Sequence, residues 1–242
     1  MAIVGAVVRA LFCKFLLYTL RDTICSFRRR DINDSPCADE RAGRSLLLFL
    51  GGCMTAETLR NASSGAEAMV RMLALHGVKH IFGLCGDTSL PFYDALQRLN
   101  HGMTHVLTRD ERSAAYMADA YARVSGRVGV CEGPSGGGAT YILPGLVEAS
   151  ESSYPVLGIT TDISTRSRGR YALTELDQES LFRPLTKWNG TIDHADRLPA
   201  MVRAAFRAMT TGRPGASHLA FPFDVQKDAV PEEEIWADPQ FG

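Results

Sequence analysis

The stretch Thr108-Arg109-Asp110-Glu111-Arg112-Ser113-Ala114-Ala115-Tyr116-Met117-Ala118-Asp119-Ala120-Tyr121-Ala122-Arg123 decides the fold. The apolar run His105-Val106-Leu107 before it has strand character, and Ala114, Ala115, Met117, Ala118 and Tyr121 recur at helical spacing within it. The segment reads as strand, acidic turn and helix, with the helix beginning near Asp110 and Glu111 in its first turn. A second strand follows in Arg127-Val128-Gly129-Val130-Cys131-Glu132, and then the turn Gly133-Pro134-Ser135-Gly136-Gly137-Gly138-Ala139-Thr140. One carboxylate and one glycine-rich turn, each at the carboxyl end of a strand, are the features to explain.

Working outward, the same alternation recurs. Ser64-x-x-Glu67 is a capping box ahead of a helix over 65–76, with Met69, Val70 and Leu73 on one face and Gly77 as its stop. Strands are predicted at 78–82, 105–107, 128–131, 156–160 and 217–221, with a short one at 187–188. Helices are predicted at 91–99, 139–150 and 195–209, with a short one at 178–182. Residues 163–177, with Arg166, Arg168 and Arg170, read as a loop. This order predicts an α/β fold, a three-layer open parallel sheet of about six strands with helices on both faces. Such sheets bind ligands at the carboxyl ends of their strands. Gly86-Asp87, Asp110-Glu111 and residues 135–138 should therefore converge on one rim.

Composition bounds the function. At 242 residues the chain has room for one large domain, or one domain and an extension. A hydrophobic share of 45% suffices for a sizeable core. A formal net charge of −1 is unlike that of a polyanion binder, so no nucleic-acid partner is expected. None of the six cysteines, Cys13, Cys25, Cys37, Cys53, Cys85 and Cys131, forms a C-x-x-C pair, so neither a zinc site nor a dithiol redox site is suggested. Reduced cysteines suit a cytoplasmic protein.

Residues 1–53 differ from the rest. The apolar segment 2–20 is interrupted by Arg9 and Lys14, and Arg21 and Arg28-Arg29-Arg30 follow it. A membrane span needs roughly 20 mostly apolar residues without central charges, and a secretory signal places its charges before its apolar core. Neither pattern is met. An arginine-rich organellar presequence and residues foreign to the native protein remain, and Met54-Thr55-Ala56-Glu57-Thr58, with its polar lead into the first helix, favours the second. The expected organisation is an atypical extension over 1–53, one domain over 54–222, and an acidic, proline-containing linker over 223–242.

Two rim features have both a bland and a functional reading. Glu111 in a first helical turn complements the helix dipole, worth up to about 1 kcal/mol, although Asp110 could do that alone. Alternatively it is a semi-buried acid that meets a ring nitrogen, burial raising its pKa. The glycines of 133–138 serve a tight strand-to-helix turn, or close approach of the backbone to a ligand or partner chain. No Lys follows them, so they are not a P-loop. Gly133-x-Ser135-x-Gly137 also fits the nucleophile elbow of a serine hydrolase, with Asp162 or Asp193 and then His194 or His218 available in chain order. A non-catalytic association domain is the remaining alternative.

Residues 63–235 resemble the N-terminal pyrimidine-binding domain of thiamine diphosphate-dependent enzymes of the acetolactate synthase and pyruvate decarboxylase group. The resemblance runs through Gly65-Ala66-Glu67, His76-Gly77-Val78, Ile81-Phe82-Gly83, Leu90-Pro91-Phe92-Tyr93-Asp94-Ala95-Leu96, Arg109-Asp110-Glu111-Arg112, Ala118-Asp119-Ala120-Tyr121-Ala122-Arg123 and Ser135-Gly136-Gly137-Gly138-Ala139-Thr140. It ends in Leu181-Phe182-Arg183-Pro184-Leu185-Thr186-Lys187-Trp188 and Gly212-Arg213-Pro214-Gly215. It implies that Glu111 bonds the aminopyrimidine ring of the cofactor and activates it catalytically for attack on a 2-keto acid. It further implies cofactor contacts from Gly86, Ser135, Gly138 and Tyr141.

Asp110 stands where many members have His, Cys85 where Pro is usual, and Pro134, Gly137 and Tyr141 where Thr, Pro and Asn are common. Leu173-Thr174 replaces a frequent Phe-Gln pair, so the substrate side differs from that of many members. Members hold Mg²⁺ and the diphosphate on a second domain, marked by Gly-Asp-Gly and a later Asn. Gly86-Asp87-Thr88 lacks that sequel, so no metal ligand is expected here. The chain is expected to be half a site, cut before further domains or working with a separate diphosphate-binding subunit, and alone to bind cofactor weakly or not at all, without turnover. The complete enzyme is expected to be a homodimer or homotetramer, and FAD is compatible with it.

Overall fold

The computed structural model describes residues 62–241. The readings of 1–53, and of the start at Met54, lie outside the described residues. The elements run β1 (Ala62–Ser64), α1 (Gly65–Leu75), β2 (His80–Gly83), α2 (Leu90–Arg98), β3 (Thr104–Leu107), α3 (Glu111–Ser125) and β4 (Gly129–Gly133). They continue α4 (Gly137–Glu151), β5 (Val156–Asp162), α5 (Gln178–Phe182), β6 (Trp188–Thr191), α6 (Leu198–Thr210), β7 (Ser217–Pro222) and β8 (Ala229–Pro231). The capping box of α1 is present, Ser64 accepting from the Glu67 amide at 3.3 Å and Glu67 from the Ser64 amide at 2.9 Å. Gly77, at φ 75°, lets the chain leave α1 in a conformation that side chains resist.

Six strands form one parallel sheet in the order β3-β2-β4-β5-β7-β6. Successive strand residues face opposite sides, and two cores result. Ile81, Val130, Leu157, Ile159, Leu219 and Phe221 pack with α1, α2 and α6. Phe82, Cys131 and Val156 pack with α3, α4 and α5. The expected three-layer α/β sandwich is the observed one.

The chain moves from β2 outward to β3, then crosses back to β4 on the other side of β2. Connections leave in opposite directions there, which opens a crevice between the loops after β2 and β4. Register aligns its walls, since Gly83 pairs with both Leu107 and Glu132.

The segment after Pro222 differs from the expected linker. Residues 229–231 pair antiparallel with β1, a 3-10 turn follows at Glu232–Glu234, and Val225, Val230 and Ile235 are buried in the core under α1 and α6. Asp228, Glu233 and Glu234 face outward between three well-spaced buried aliphatics, and the acid and proline content hid that pattern.

Candidate active site

The rim is built from three turns. Asp110 caps α3 by accepting from the amides of Arg112 at 2.7 Å and Ser113 at 3.4 Å. The Arg112 guanidinium folds back onto the same carboxylate at 2.7 Å and lies 5.6 Å from the centre of the Tyr141 ring. These bonds hold the Asp110 carboxyl down at about 2. Arg112 is thereby committed to Asp110, and Glu111, the half-buried first residue of α3, has no hydrogen-bond partner for its carboxylate among the described residues. The two acids divide the roles that sequence left open, Asp110 capping the helix and Glu111 remaining unengaged.

The glycine turn has a definite steric cause. A side chain at Gly86 would place its Cβ 2.4 Å from Pro134 Cβ, and one at Gly138 would meet the Pro134 ring at 2.5 Å and Glu111 Oε1 at 3.2 Å. The Pro134 ring is therefore wedged between these two glycines, and Glu111 abuts the second. Gly136, at φ 70°, turns the chain into α4. At Gly137 an added Cβ would meet only the Tyr141 ring, at 3.9 Å. Gly86, Glu111, Ser135 and Gly138 do converge on one rim. Tyr141 sits on its exposed flank under Arg112.

Ser135 is buried, and its hydroxyl bonds Thr174 at 2.7 Å and accepts from Thr88 at 3.2 Å. The residues of a hydrolase triad lie elsewhere. Asp162 pairs with Arg168 at 2.9 Å and Asp193 with Arg197 at 2.8 Å. His218 is wholly buried, bonded to Thr160 at 2.7 Å and stacked on Phe182 at 3.7 Å. Burial pushes its imidazole down to about 3, so it stays neutral. No histidine hydrogen-bonds Ser135 among the described residues.

One residue that the sequence reading left unremarked stands out. Glu132, the last but one residue of β4, is 0% exposed. It accepts from Ser89 Oγ at 2.5 Å and from the Tyr93 hydroxyl at 2.6 Å. Burial pushes its carboxyl up to about 7, against the pull of those two bonds, and Glu111 adds to the rise. Burial and Glu132 together push the Tyr93 phenol far up. The signal was available, since an acid that continues an apolar strand in a doubly covered sheet has no solvent face to occupy.

An α/β sheet with its switch-point crevice carrying an unengaged carboxylate and a glycine turn is the architecture of a doubly wound, ligand-binding domain. Residues 63–181 match the family described as "Thiamine pyrophosphate enzyme, N-terminal TPP binding domain", and the domain belongs to it. Its relatives are of the acetolactate synthase kind. A probable acetolactate synthase large subunit of Methanocaldococcus jannaschii is 44% identical over 170 residues, covering 70% of this chain and 28% of the relative. An acetolactate synthase of Arthrospira platensis is 39% identical over 175 residues, covering 70% and 30%. The acetolactate synthase isozyme 3 large subunit of Escherichia coli is 35% identical over 175 residues, covering 72% and 30%. The chain thus spans under a third of the length of these relatives.

Proposed function

We propose that this chain supplies the pyrimidine side of a thiamine diphosphate site in an enzyme that decarboxylates or ligates a 2-keto acid, with Glu111 as its catalytic acid. The carrying observation is the half-buried Glu111 carboxylate, which abuts the glycine turn with no hydrogen-bond partner among the described residues. Such a group fits a ring nitrogen that completes its hydrogen bonding. Arg112 leaves it free by pairing with Asp110. When bound, thiamine diphosphate supplies the electron sink for breaking the bond beside the keto-acid carbonyl. The chain's part is to hold a proton at Glu111, to orient the ring against the Pro134 wedge, and to line the approach with Ser135, Gly138 and Tyr141.

The exposed apolar side chains Leu107, Tyr116, Met117 and Tyr141 lie on β3, α3 and α4 near Glu111. Exposed apolar area of this kind suits a partner surface. In this reading a diphosphate-binding domain or subunit covers it and brings the Mg²⁺ ligands, within a homodimer or homotetramer. In this reading FAD, where the complete enzyme carries it, is held by other domains of that enzyme.

The test is Glu111→Gln in the full-length enzyme, or in this chain reconstituted with its diphosphate-binding partner. Loss of about 100-fold or more in turnover, with the fold retained by circular dichroism, is expected for removal of a positioned acid. Turnover equal to that of the parent enzyme would refute the assignment.

A further inference from the structure

An unbroken file of hydroxyls joins the rim to Glu132. Ser89 Oγ, 2.5 Å from Glu132 Oε1, lies 3.0 Å from Thr161 Oγ1. Thr161 Oγ1 lies 2.8 Å from Thr88 Oγ1, and Thr88 Oγ1 lies 3.2 Å from Ser135 Oγ. Ser135 Oγ in turn lies 2.7 Å from Thr174 Oγ1. Glu132, Ser89 and Thr161 are 0% exposed and Ser135 is 7% exposed, whereas Thr174 is open to solvent. These residues come from β4, the turn after β2, β5, the glycine turn and the loop after β5, so no local preference assembles them.

Simple satisfaction of buried polar groups accounts for part of this file. It does not account for the choice of an acid. Ser89 and Tyr93 already complete Glu132, and a neutral side chain at that position would avoid the cost of burying an ionisable group. Nor does it account for Thr174. That residue is held at φ 68°, a costly conformation for a β-branched side chain, with its Cβ side pressed against Gly136. The effect is to bring its hydroxyl onto Ser135.

We propose that Glu132 is a proton-storing acid for this rim, and that Ser89, Thr161, Thr88, Ser135 and Thr174 relay its proton to and from the surface. On release the Ser89 hydroxyl, which in this structure donates to Glu132, turns onto Thr161 Oγ1, and the O–H bond of Glu132 breaks as Ser89 gains that proton and passes its own to Thr161. Each later hydroxyl likewise gains one proton and loses one, until Ser135 or Thr174 hands one outward. Glu132 is left as a carboxylate, and the acceptor gains one proton. Reversal of the same hops from water restores it. The ionisable groups around Glu132 are Tyr93 from α2, Glu111 from α3, its strand neighbour Cys131, and Cys85 from the turn after β2, with His105 of β3 edge-on to Tyr93 at 4.9 Å. A carboxyl pushed up to about 7 exchanges its proton near neutral pH, as a store must. Only the identity of the final acceptor, a basic atom of the keto-acid substrate, rests on the proposed function.

The test uses infrared spectroscopy on this chain and needs no turnover. Below neutral pH the protein should show a protonated-carboxyl stretch that Glu132→Gln removes. On rapid mixing into heavy water that band should shift quickly in the native protein, and about tenfold or more slowly in Thr88→Val and Thr161→Val. Thr88→Ser, which keeps the hydroxyl, should exchange as the native protein does. Ser135→Ala interrupts the file at a third point, should either valine variant fail to fold. Absence of a carboxyl band lost in Glu132→Gln, or equal exchange in the folded hydroxyl-deleted variants, overturns the relay. That result would leave the cofactor reading untouched, just as failure of Glu111→Gln to reduce turnover would leave the exchange result untouched.

Discussion

At the residue scale, two acids at the end of neighbouring elements have opposite circumstances. Glu111 is half-buried and unengaged, while Glu132 is sealed and twice hydrogen-bonded. Glu132 has its folded carboxyl at about 7 against an ordinary 4.5, so the folded state binds more protons between those values. Its contribution to stability is therefore complete below about pH 4.5 and is lost as pH rises through about 7. At about 1.4 kcal/mol per pH unit that span amounts to roughly 3 kcal/mol. His218 slopes the other way, its depressed imidazole favouring the folded state above pH 6.5 and losing that advantage as pH falls toward 3. Comparing the native protein with Glu132→Gln removes the histidine from the comparison. The stability difference, native minus variant, should shrink by about 3 kcal/mol between pH 4.5 and 8 in urea titrations. A difference that does not change with pH would show that Glu132 titrates normally.

At the scale of elements, the position of Glu111 depends on how closely α3 lies on α4. Gly145 of α4 makes that approach, since a Cβ there would stand 2.5 Å from Ala115 Cβ and 2.7 Å from the Ala115 carbonyl carbon. The backbone of α3 cannot yield locally, so the two helices must separate. Alanine gains up to about 1 kcal/mol of helix propensity over glycine, while overpacking costs about 1–3 kcal/mol. Gly145→Ala should therefore destabilise the domain by about 1–2 kcal/mol in chemical denaturation. Under the proposed function the same shift should also reduce cofactor-dependent turnover of the complete enzyme, because α3 carries Glu111 at its end. A stability equal to or above that of the native protein would mean that the helices slide apart without cost.

At the scale of the whole domain, the segment after β7 is part of the fold. Beyond the β1–β8 pairing, Arg203 of α6 stacks 3.7 Å from the centre of the Trp236 ring, and Arg207 pairs with Asp238 at 2.8 Å. Val230 and Ile235 are at or below 9% exposure. Burial of two such aliphatics is worth about 3–5 kcal/mol. Deleting 229–241 should lower the unfolding free energy by about that amount, read from the urea midpoint at unchanged cooperativity. A deletion that leaves the midpoint in place would return this segment to the status of a linker.

The sequence by itself determined the layers and the rim. Alternating apolar periods produced the six-stranded parallel sheet with helices on both faces, and the strand-turn-helix punctuation placed Gly86, Glu111, Ser135 and Gly138 at carboxyl ends, where a parallel sheet gathers them. Periodicity is a local property, set by the geometry of strand and helix, and so it is legible along the chain. Only the tertiary structure decided which acid is free, because Arg112 had to choose between Asp110 and Glu111 in space. Only it revealed that Pro134 fills the gap between Gly86 and Gly138, and that hydroxyls up to 86 residues apart form one file ending at Glu132, as Thr88 and Thr174 do through Ser135. Those outcomes depend on strand order and register, which bring distant residues within hydrogen-bond reach and which no local pattern encodes.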